Sequence, residues 1–153
     1  MNRIPLRNQV LALRSYFKEA ELSWTRTSLK WVHTITPTPL SKNYKLKLTY
    51  KIGKGVDVYV IDPKKLPLAT GKKRLPHVYS QEKQELCLYY PSAEERERKW
   101  FPDMYIVKTI VPWAIEWLEF YEYWLGSGKW FGGGIHPNGE REEYDFGSHK
   151  KTP

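Results

Sequence analysis

Cys87 carries the side chain of this sequence that is best suited to covalent chemistry. It is the only cysteine among 153 residues, and it lies in the mainly apolar stretch ELCLYY. A cysteine thiolate is a strong nucleophile even when only a small fraction of the thiol is ionised. A lone cysteine in a strand is, however, more often a small buried apolar residue. The residue type and its neighbours therefore leave two interpretations open, a nucleophile and a core residue.

A metal site or a protease-like site would need partners that the sequence does not place near this thiol. The histidines are His33, His77, His136 and His149. Their spacing matches no paired set of metal ligands. A cysteine protease requires a histidine base and usually a third, orienting group, which distant segments would have to supply. The stretch GKWFGGG at 128–134 lacks the preceding strand and following helix of a phosphate loop. We therefore predict neither a metal nor a cofactor.

The segments upstream of Cys87 are predicted to form a helix and an antiparallel meander. Residues 5–22 begin with Pro5, which suits a first helical turn, and continue with an apolar stripe at helical spacing. Residues 27–35 are predicted to form an edge strand. Residues 44–52 alternate apolar and polar side chains, as a half-buried strand does. GKG at 53–55 then leads into the alternating stretch VDVYVIDP, which predicts a hairpin.

The segments downstream of Cys87 are predicted to form a second helix and a tail. The helix starts near Pro112 and turns its large aromatic side chains towards the core. The stretch 128–153 has enough glycine and charge to predict irregular structure, and residues 138–153 are predicted to be a flexible tail. The length of the chain is that of one domain, residues 1–153. We therefore predict an α+β fold in which helices cover one face of a curved sheet.

Charge and cysteine usage bear on partners and location. The formal net charge of +8 favours acidic partners and keeps a nucleic-acid binder open as an alternative. The basic residues are scattered and no known module encloses them, so we predict no specific nucleic acid. A single cysteine and no recognisable signal peptide predict a reducing, cytoplasmic location. No apolar run approaches the roughly 20 residues that cross a bilayer, so we predict no membrane association.

Three short motifs, taken in order, resemble the core of ubiquitin-conjugating enzymes. LPH at 75–77 falls where that family has a His-Pro-Asn tripeptide, LCL at 86–88 matches its apolar-Cys-Leu element, and WFP at 100–102 matches its Trp-x-Pro element. More closely, LPHVYSQEKQELCLYYP and IVPWAIEWLEFYEYWLGSGKWFGGGIH resemble small stand-alone bacterial members that accompany cyclic-oligonucleotide-based antiphage signalling systems (CBASS) of the short type II arrangement. The resemblance spans most of residues 27–136.

This resemblance implies a ubiquitin-conjugating-enzyme-like fold and a transferase that forms a thioester through Cys87. The implied partner is the C-terminal tail of a cGAS/DncV-like nucleotidyltransferase, which the protein would regulate or prime. A thioester suits such a role, because it conserves acyl reactivity while resisting water. His77 is the second implied catalytic residue: it stands where the family has Asn, and its ring could donate a hydrogen bond to a developing oxyanion.

Departures from the family pattern keep a second function open. His77 replaces Asn and could serve only to tie the loop to backbone carbonyls, and Cys87 follows it after a longer loop than is usual in the family. The inserted SAEERERK brings Glu94, Glu95 and Glu97 close in sequence, where a carboxylate could orient an incoming lysine or simply be solvated. A catalytically silent binding module of the same fold is therefore the alternative.

The environment of the thiol separates these two functions. Four aromatic residues are predicted to pack beneath Cys87 as scaffold: Tyr79, Tyr89, Trp100 and Trp113. We expect a reactive Cys87 to be exposed at the edge of the sheet, where a flexible C-terminal tail can reach it. Burial would raise the pKa of the thiol and suppress its reactivity.

Overall fold

A computed structural model describes residues 2–88 and 99–132, and the backbone alone of residues 145–146 and 149–150. Within these residues, two α-helices pack against a six-stranded antiparallel sheet. The predicted α+β class is confirmed. The mobility predicted for residues 138–153 falls largely outside the described residues, where only the backbone pairing of Asp145–Phe146 with His149–Lys150 is described.

The main sheet is a meander that ends in two short strands. Its strands are β1 (Glu21–Trp24), β2 (Ser28–Ile35), β3 (Tyr44–Lys51), β4 (Gly55–Asp62), β5 (Val78–Ser80) and β6 (Glu85–Leu86). Their spatial order is β1-β2-β3-β4-β6-β5. The predicted hairpin at 53–55 is confirmed, because β3 pairs with β4 and both Gly53 and Gly55 adopt positive φ. The chain therefore reaches Cys87 from a strand of only two residues, which β4 and β5 flank.

Alternation along β3 and β4 buries one face of each strand. Leu46, Leu48, Val58 and Val60 are at most 2% exposed, whereas the lysines between the apolar residues of β3 are only half-buried. Side chains of period two on a half-buried strand produce this pattern. The apolar face belongs to a single hydrophobic cluster that also takes in both helices.

The first helix, α1 (Leu6–Tyr16), is tied to the segment that precedes the second. Leu6, Val10 and Leu13 are its buried apolar residues. Gln9, fully buried among them, donates from Nε2 to the Met104 carbonyl and accepts the Ile106 N–H on Oε1, both at 2.9 Å. A buried amide whose donor and acceptor are both used costs little and fixes one element against another. Ile106 opens a 3-10 turn (Ile106–Lys108) that leads into the second helix.

The second helix, α2 (Ile110–Ser127), supplies most of the aromatic core. Trp117 and Tyr121 stack in parallel, with ring centroids 5.6 Å apart and an interplanar angle of 6°. Gly128 ends the helix in the left-handed conformation, at φ 77°, and its N–H donates to the Trp124 carbonyl at 2.7 Å. Glycine adopts this C-terminal cap without steric cost.

Glu122 of α2 fixes the loop between β2 and β3. Its carboxylate accepts hydrogen bonds from the Ser41 hydroxyl at 2.6 Å, the Tyr44 hydroxyl at 2.7 Å and the Lys42 N–H at 3.3 Å. Hydrogen bonds to a charged acceptor are stronger than those between neutral groups. The middle of α2 is thus anchored to the start of β3.

One predicted helix boundary and one predicted strand position are wrong. The helix predicted over 5–22 ends at Tyr16, and Glu21–Trp24 instead form the edge strand β1. Residues 18–21 favour a helix by composition, but pairing with β2 outweighs this weak local preference. Residues 27–35 were predicted at the sheet edge, whereas β2 lies between β1 and β3. The predicted start of α2 is close to the observed one.

Candidate active site

Cys87 lies directly after β6, and its backbone extends the pairing of β5 with β6 by one residue. The Cys87 N–H donates to the His77 carbonyl at 3.0 Å, next to the paired Val78 and Leu86. The residues on either side of the cysteine, Leu86 and Leu88, are both buried. The structure therefore brings together the two residues that the sequence singled out.

The expectation that Cys87 is exposed is wrong for this conformation. Only 6% of the residue is accessible. Burial raises the pKa of the thiol to about 11. At neutral pH the thiol is therefore almost entirely protonated. The resting protein holds its only cysteine as a neutral, protected thiol.

Two polar neighbours act on the thiol in opposite directions. The Tyr79 hydroxyl hydrogen-bonds Cys87 and lowers its pKa, whereas the negative charge of Glu85 raises it, and burial outweighs both. Tyr79 is 43% exposed, so its predicted role as buried scaffold is wrong, while Trp100 is buried as predicted. Tyr79 lies on β5, two positions after His77. Its contact with the sulfur depends on how β5 pairs with β6, which the sequence does not reveal.

A small cavity of about 210 Å³ opens beside this segment. Its lining comprises Lys54, Val56, Asp57, Val58, Tyr79, Glu85, Leu86 and Leu88. Glu85 hydrogen-bonds Asp57 there, and the pKa of Glu85 is raised, first by burial and then by the negative charge of Asp57. A carboxyl whose charged form is disfavoured in this way holds its proton to higher pH than an exposed one. The polar wall of the cavity is thus a carboxyl pair next to the tyrosine that touches the thiol.

His77 acts on this site through its backbone. Its carbonyl accepts the Cys87 N–H and also the indole N–H of Trp117, each at 3.0 Å. Its ring is buried and stacks on Trp130, with centroids 5.0 Å apart. His77 adopts φ 48°, a left-handed conformation that non-glycine residues reach only at a cost. These hydrogen bonds use the backbone oxygen of His77, so both roles predicted for its ring, a tie to backbone carbonyls and an oxyanion donor, stay predictions.

The Trp-x-Pro element anchors the chain on the other side of the segment that follows Cys87. Trp100 packs edge-on against Tyr50, with centroids 5.4 Å apart. The Pro102 carbonyl accepts the N–H of Ile4 at 3.0 Å, so the element also meets the N-terminal segment. The predictions for Tyr89, Glu94, Glu95 and Glu97 lie outside the described residues.

Comparison with protein families gives this geometry its context. The family described as type II CBASS E2 protein matches residues 9–137, which include β1 to β6, α2 and both predicted site residues. The chain belongs to this family. As a type II CBASS E2 protein it has an E2-like role in CBASS defence, as the motifs around Pro76, Cys87 and Pro102 had implied.

No curated protein matches the chain. Among the described residues, no helix is long and apolar enough to cross a membrane. The part of the chain that the structure describes also holds no group of three acidic, histidine or cysteine side chains placed to bind a metal ion.

Proposed function

We propose that this protein is a cysteine-dependent acyl transferase whose Cys87 forms a thioester with the C-terminus of a cGAS/DncV-like nucleotidyltransferase. The tail carboxyl must first be activated, as an acyl adenylate or a donor thioester. The Cys87 thiolate then attacks the carbonyl carbon, a carbon–sulfur bond forms, and the activating group leaves with the bonding electron pair. The thiol proton passes to solvent. An acceptor nucleophile later releases the acyl group and restores the thiol.

The observation that carries this proposal is the arrangement around the single thiol. The sequence offers one cysteine, and the structure holds it on the His77 carbonyl with the Tyr79 hydroxyl on its sulfur. A hydrogen-bond donor on sulfur stabilises the thiolate. Membership of an E2 family supports the proposal that this sulfur carries an acyl group.

Burial of the thiol adds a requirement to the proposed mechanism. A pKa of about 11 leaves too little thiolate for fast attack at neutral pH. The proposed reaction therefore needs an open conformation in which Cys87 meets water or the incoming tail. Docking of the nucleotidyltransferase would select such a conformation if it binds the open form more tightly than the closed one.

The proposal is tested by looking for the covalent adduct. The protein is co-expressed with the nucleotidyltransferase and the remaining components of its own defence system, so that any activating component is present, and the proteins are separated on denaturing gels with and without a thiol reductant. We expect an adduct of wild type that reductant removes, and an adduct of Cys87→Ser that resists reductant but yields to alkali, because it is an oxygen ester. Cys87→Ala is the matched control and should give none. An adduct that persists in Cys87→Ala, or no adduct in wild type, would refute the proposal.

A catalytically silent binding module is the second candidate, and the burial of Cys87 favours it. A thiol that is 6% exposed resembles the small core residue that a lone cysteine often is. In that case Cys87→Ala should bind the nucleotidyltransferase as tightly as wild type does, and neither protein should form an adduct. Calorimetry on wild type and Cys87→Ala measures binding of the nucleotidyltransferase, and the gel assay measures adduct formation, so together they separate binding from chemistry.

A further inference from the structure

Gln84 is a buried polar residue three positions before Cys87. It is 3% exposed and adopts φ 53°. Gln84 and His77 are the non-glycine residues with positive φ in the part of the chain that the structure describes. A non-glycine residue stays in this region only when its surroundings fix it there, and such positions cluster at functional sites. Both residues of this kind lie on the stretch that leads to the thiol.

The side chain of Gln84 connects its own turn to the chain that leaves β4. Nε2 donates to the Val60 carbonyl at 2.9 Å and to the Pro63 carbonyl at 3.0 Å, and Oε1 accepts the Leu66 N–H at 2.6 Å. The Gln84 carbonyl also accepts the Val60 N–H at 3.0 Å. The side chain thus bonds three backbone groups between Val60 and Leu66. Both of its amide donors and its acceptor oxygen are used.

The segment held by Gln84 is in turn fixed to α2. The Tyr121 hydroxyl donates to the Pro67 carbonyl at 2.6 Å, one residue after Leu66. Tyr121 stacks on Trp117, and the Trp117 indole donates to the same His77 carbonyl that accepts the Cys87 N–H. These contacts form a continuous path: it runs from Cys87 through the His77 carbonyl to α2, then to the segment after β4, and through Gln84 back to the strand that precedes Cys87.

Only two residues, Glu85 and Leu86, separate Gln84 from the cysteine, and they form the whole of β6. A strand this short has little pairing of its own to define its position. Its described pairs are Tyr59 with Glu85, Ser80 with Glu85 and Val78 with Leu86, and the register shifts between the last two. The turn that Gln84 holds therefore adds to the few backbone pairs that fix the start of β6.

We infer that Gln84 is a positioning residue for Cys87: its three side-chain hydrogen bonds fix the start of β6 and thereby keep the thiol in its buried place against the His77 carbonyl. This inference rests on the proposed function of Cys87, because positioning matters only if the thiol reacts. When the bonds of Gln84 are lost, the turn loosens, β6 detaches, and the sulfur meets water.

The test is the pH profile of alkylation. Cys87 is the only thiol, and quantifying the alkylated Cys87 peptide by mass spectrometry after iodoacetamide treatment separates its reaction from that of lysine amines, which also react at high pH. In wild type we expect slow labelling that rises tenfold per pH unit towards pH 11. Gln84→Met keeps the volume but removes all three bonds, and we expect labelling at pH 8 to be at least tenfold faster, with the profile shifted to lower pH.

Gln9→Met is the matched control. Gln9 is equally buried and also bonds a carbonyl and an N–H, but it links α1 to the 3-10 turn, away from the thiol. We expect it to lower the urea midpoint as Gln84→Met does, yet to leave labelling within about twofold of wild type. Equal acceleration in both variants would mean general loosening, and an unchanged profile in Gln84→Met would mean no positioning. Either result overturns the inference.

A conservative variant covers the case in which Gln84→Met does not fold. Gln84→Glu keeps an acceptor oxygen for the Leu66 N–H but turns a carboxyl oxygen towards the Val60 and Pro63 carbonyls, so labelling should be faster than in wild type. Labelling as slow as in wild type would count against the inference. Alkylation requires no partner protein. Absence of the nucleotidyltransferase adduct would therefore contradict the proposed function and leave the alkylation result valid. An unchanged alkylation profile in Gln84→Met would contradict the positioning role and leave the adduct result valid.

Discussion

At the scale of single residues, the thiol is governed by neighbours with opposite effects. Burial protects Cys87, the negative charge of Glu85 adds to that protection, and the Tyr79 hydroxyl works against it. Tyr79 is 43% exposed, so the residue whose hydroxyl favours the thiolate also reaches the protein surface. Burial therefore has the largest effect on the pKa of Cys87, and the two polar neighbours modify it in opposite directions.

Tyr79→Phe removes the hydroxyl on the sulfur and keeps the ring. Because the hydroxyl lowers the pKa of Cys87, its loss should raise that pKa further and slow alkylation. A hydrogen bond worth about 1 kcal/mol corresponds to roughly a fivefold slower reaction at a fixed pH below the pKa. Tyr123→Phe, on the exposed side of α2, is the control and should react like wild type. Faster labelling of Tyr79→Phe would show that the hydroxyl shields the thiol.

Glu85→Gln should have the opposite effect. The Glu85 charge raises the pKa of Cys87, so neutralising it should speed alkylation about two- to threefold at pH 8, the size of a weak charge interaction near a surface. At acidic pH, where Glu85 already holds a proton, the two proteins should react at the same rate. Glu82→Gln, in the exposed turn before β6, should match wild type throughout. An effect of Glu85→Gln that persists unchanged at acidic pH would rule out a charge effect.

At the scale of elements, α2 is the part to which the other segments attach. Trp117 reaches the β5 start, Tyr121 reaches the chain after β4, and Glu122 reaches the loop before β3. These three side chains, within two turns of one helix, place separate pieces of the sheet relative to one another. Hydrogen bonds from α2 therefore help to hold the segments of the candidate site in place, in addition to the pairing of β6.

Glu122→Ala tests this role of α2. The substitution removes a charged acceptor from the Ser41 and Tyr44 hydroxyls and the Lys42 N–H. We expect the free energy of unfolding to fall by about 1–3 kcal/mol, as when partly buried donors lose a charged partner. Urea denaturation measures the change. Glu119→Ala, at an exposed position of α2, should change stability by less than about 0.5 kcal/mol. Equal losses in both variants would mean that the loop attachment contributes nothing.

The sequence predicts those parts of the fold whose local pattern agrees with the tertiary structure. Alternation in YKLKLTYKI and the glycines of GKG predict β3, the hairpin and β4, because the half-buried face and the turn conformation are local properties. Residues 17–22, predicted as the end of the first helix, do not fit this description, because the helix ends at Tyr16 and pairing with β2 outweighs the helical preference of residues 18–21. The motifs locate His77 and Cys87, but burial of the thiol depends on chain segments that meet only in the folded protein.

Gln84 shows most clearly what local patterns leave out. In QEKQELCL it is an ordinary polar residue of a loop. Its importance comes from partners at Val60, Pro63 and Leu66, at least 18 positions away. Glutamine is seldom fully buried, so sequence reasoning assigns it to the surface by default. A polar residue just before a candidate nucleophile is the one signal that could have drawn attention to it.

At the scale of the whole molecule, the buried thiol links stability to pH. Its pKa is raised above its ordinary value of 9.0, so the folded protein binds this proton more tightly than the unfolded chain does. The stabilisation is fully present below pH 9.0 and is lost as pH rises through about 11. Two pKa units correspond to about 2–3 kcal/mol. The Tyr44 and Tyr121 hydroxyls, whose pKa values are also raised, act with the same sign.

Comparison of wild type with Cys87→Ala isolates the contribution of the thiol. The free energy of unfolding of wild type should fall more steeply between pH 9 and pH 11 than that of the variant, by up to about 2–3 kcal/mol, while the two curves run parallel at pH 6 to 8. Urea titrations across this pH range provide the measurement. Parallel curves up to pH 11 would show that the thiol is not protected in the folded protein.

The same protection has a consequence for oxidation of the thiol. Peroxide attacks thiolates that water can reach, and the first product, a sulfenic acid, can proceed to forms that no common reductase repairs. A neutral sulfur that is 6% accessible offers peroxide almost nothing to attack. In the described conformation the sulfur of Cys87 is therefore protected from peroxide in the same way as from an alkylating reagent.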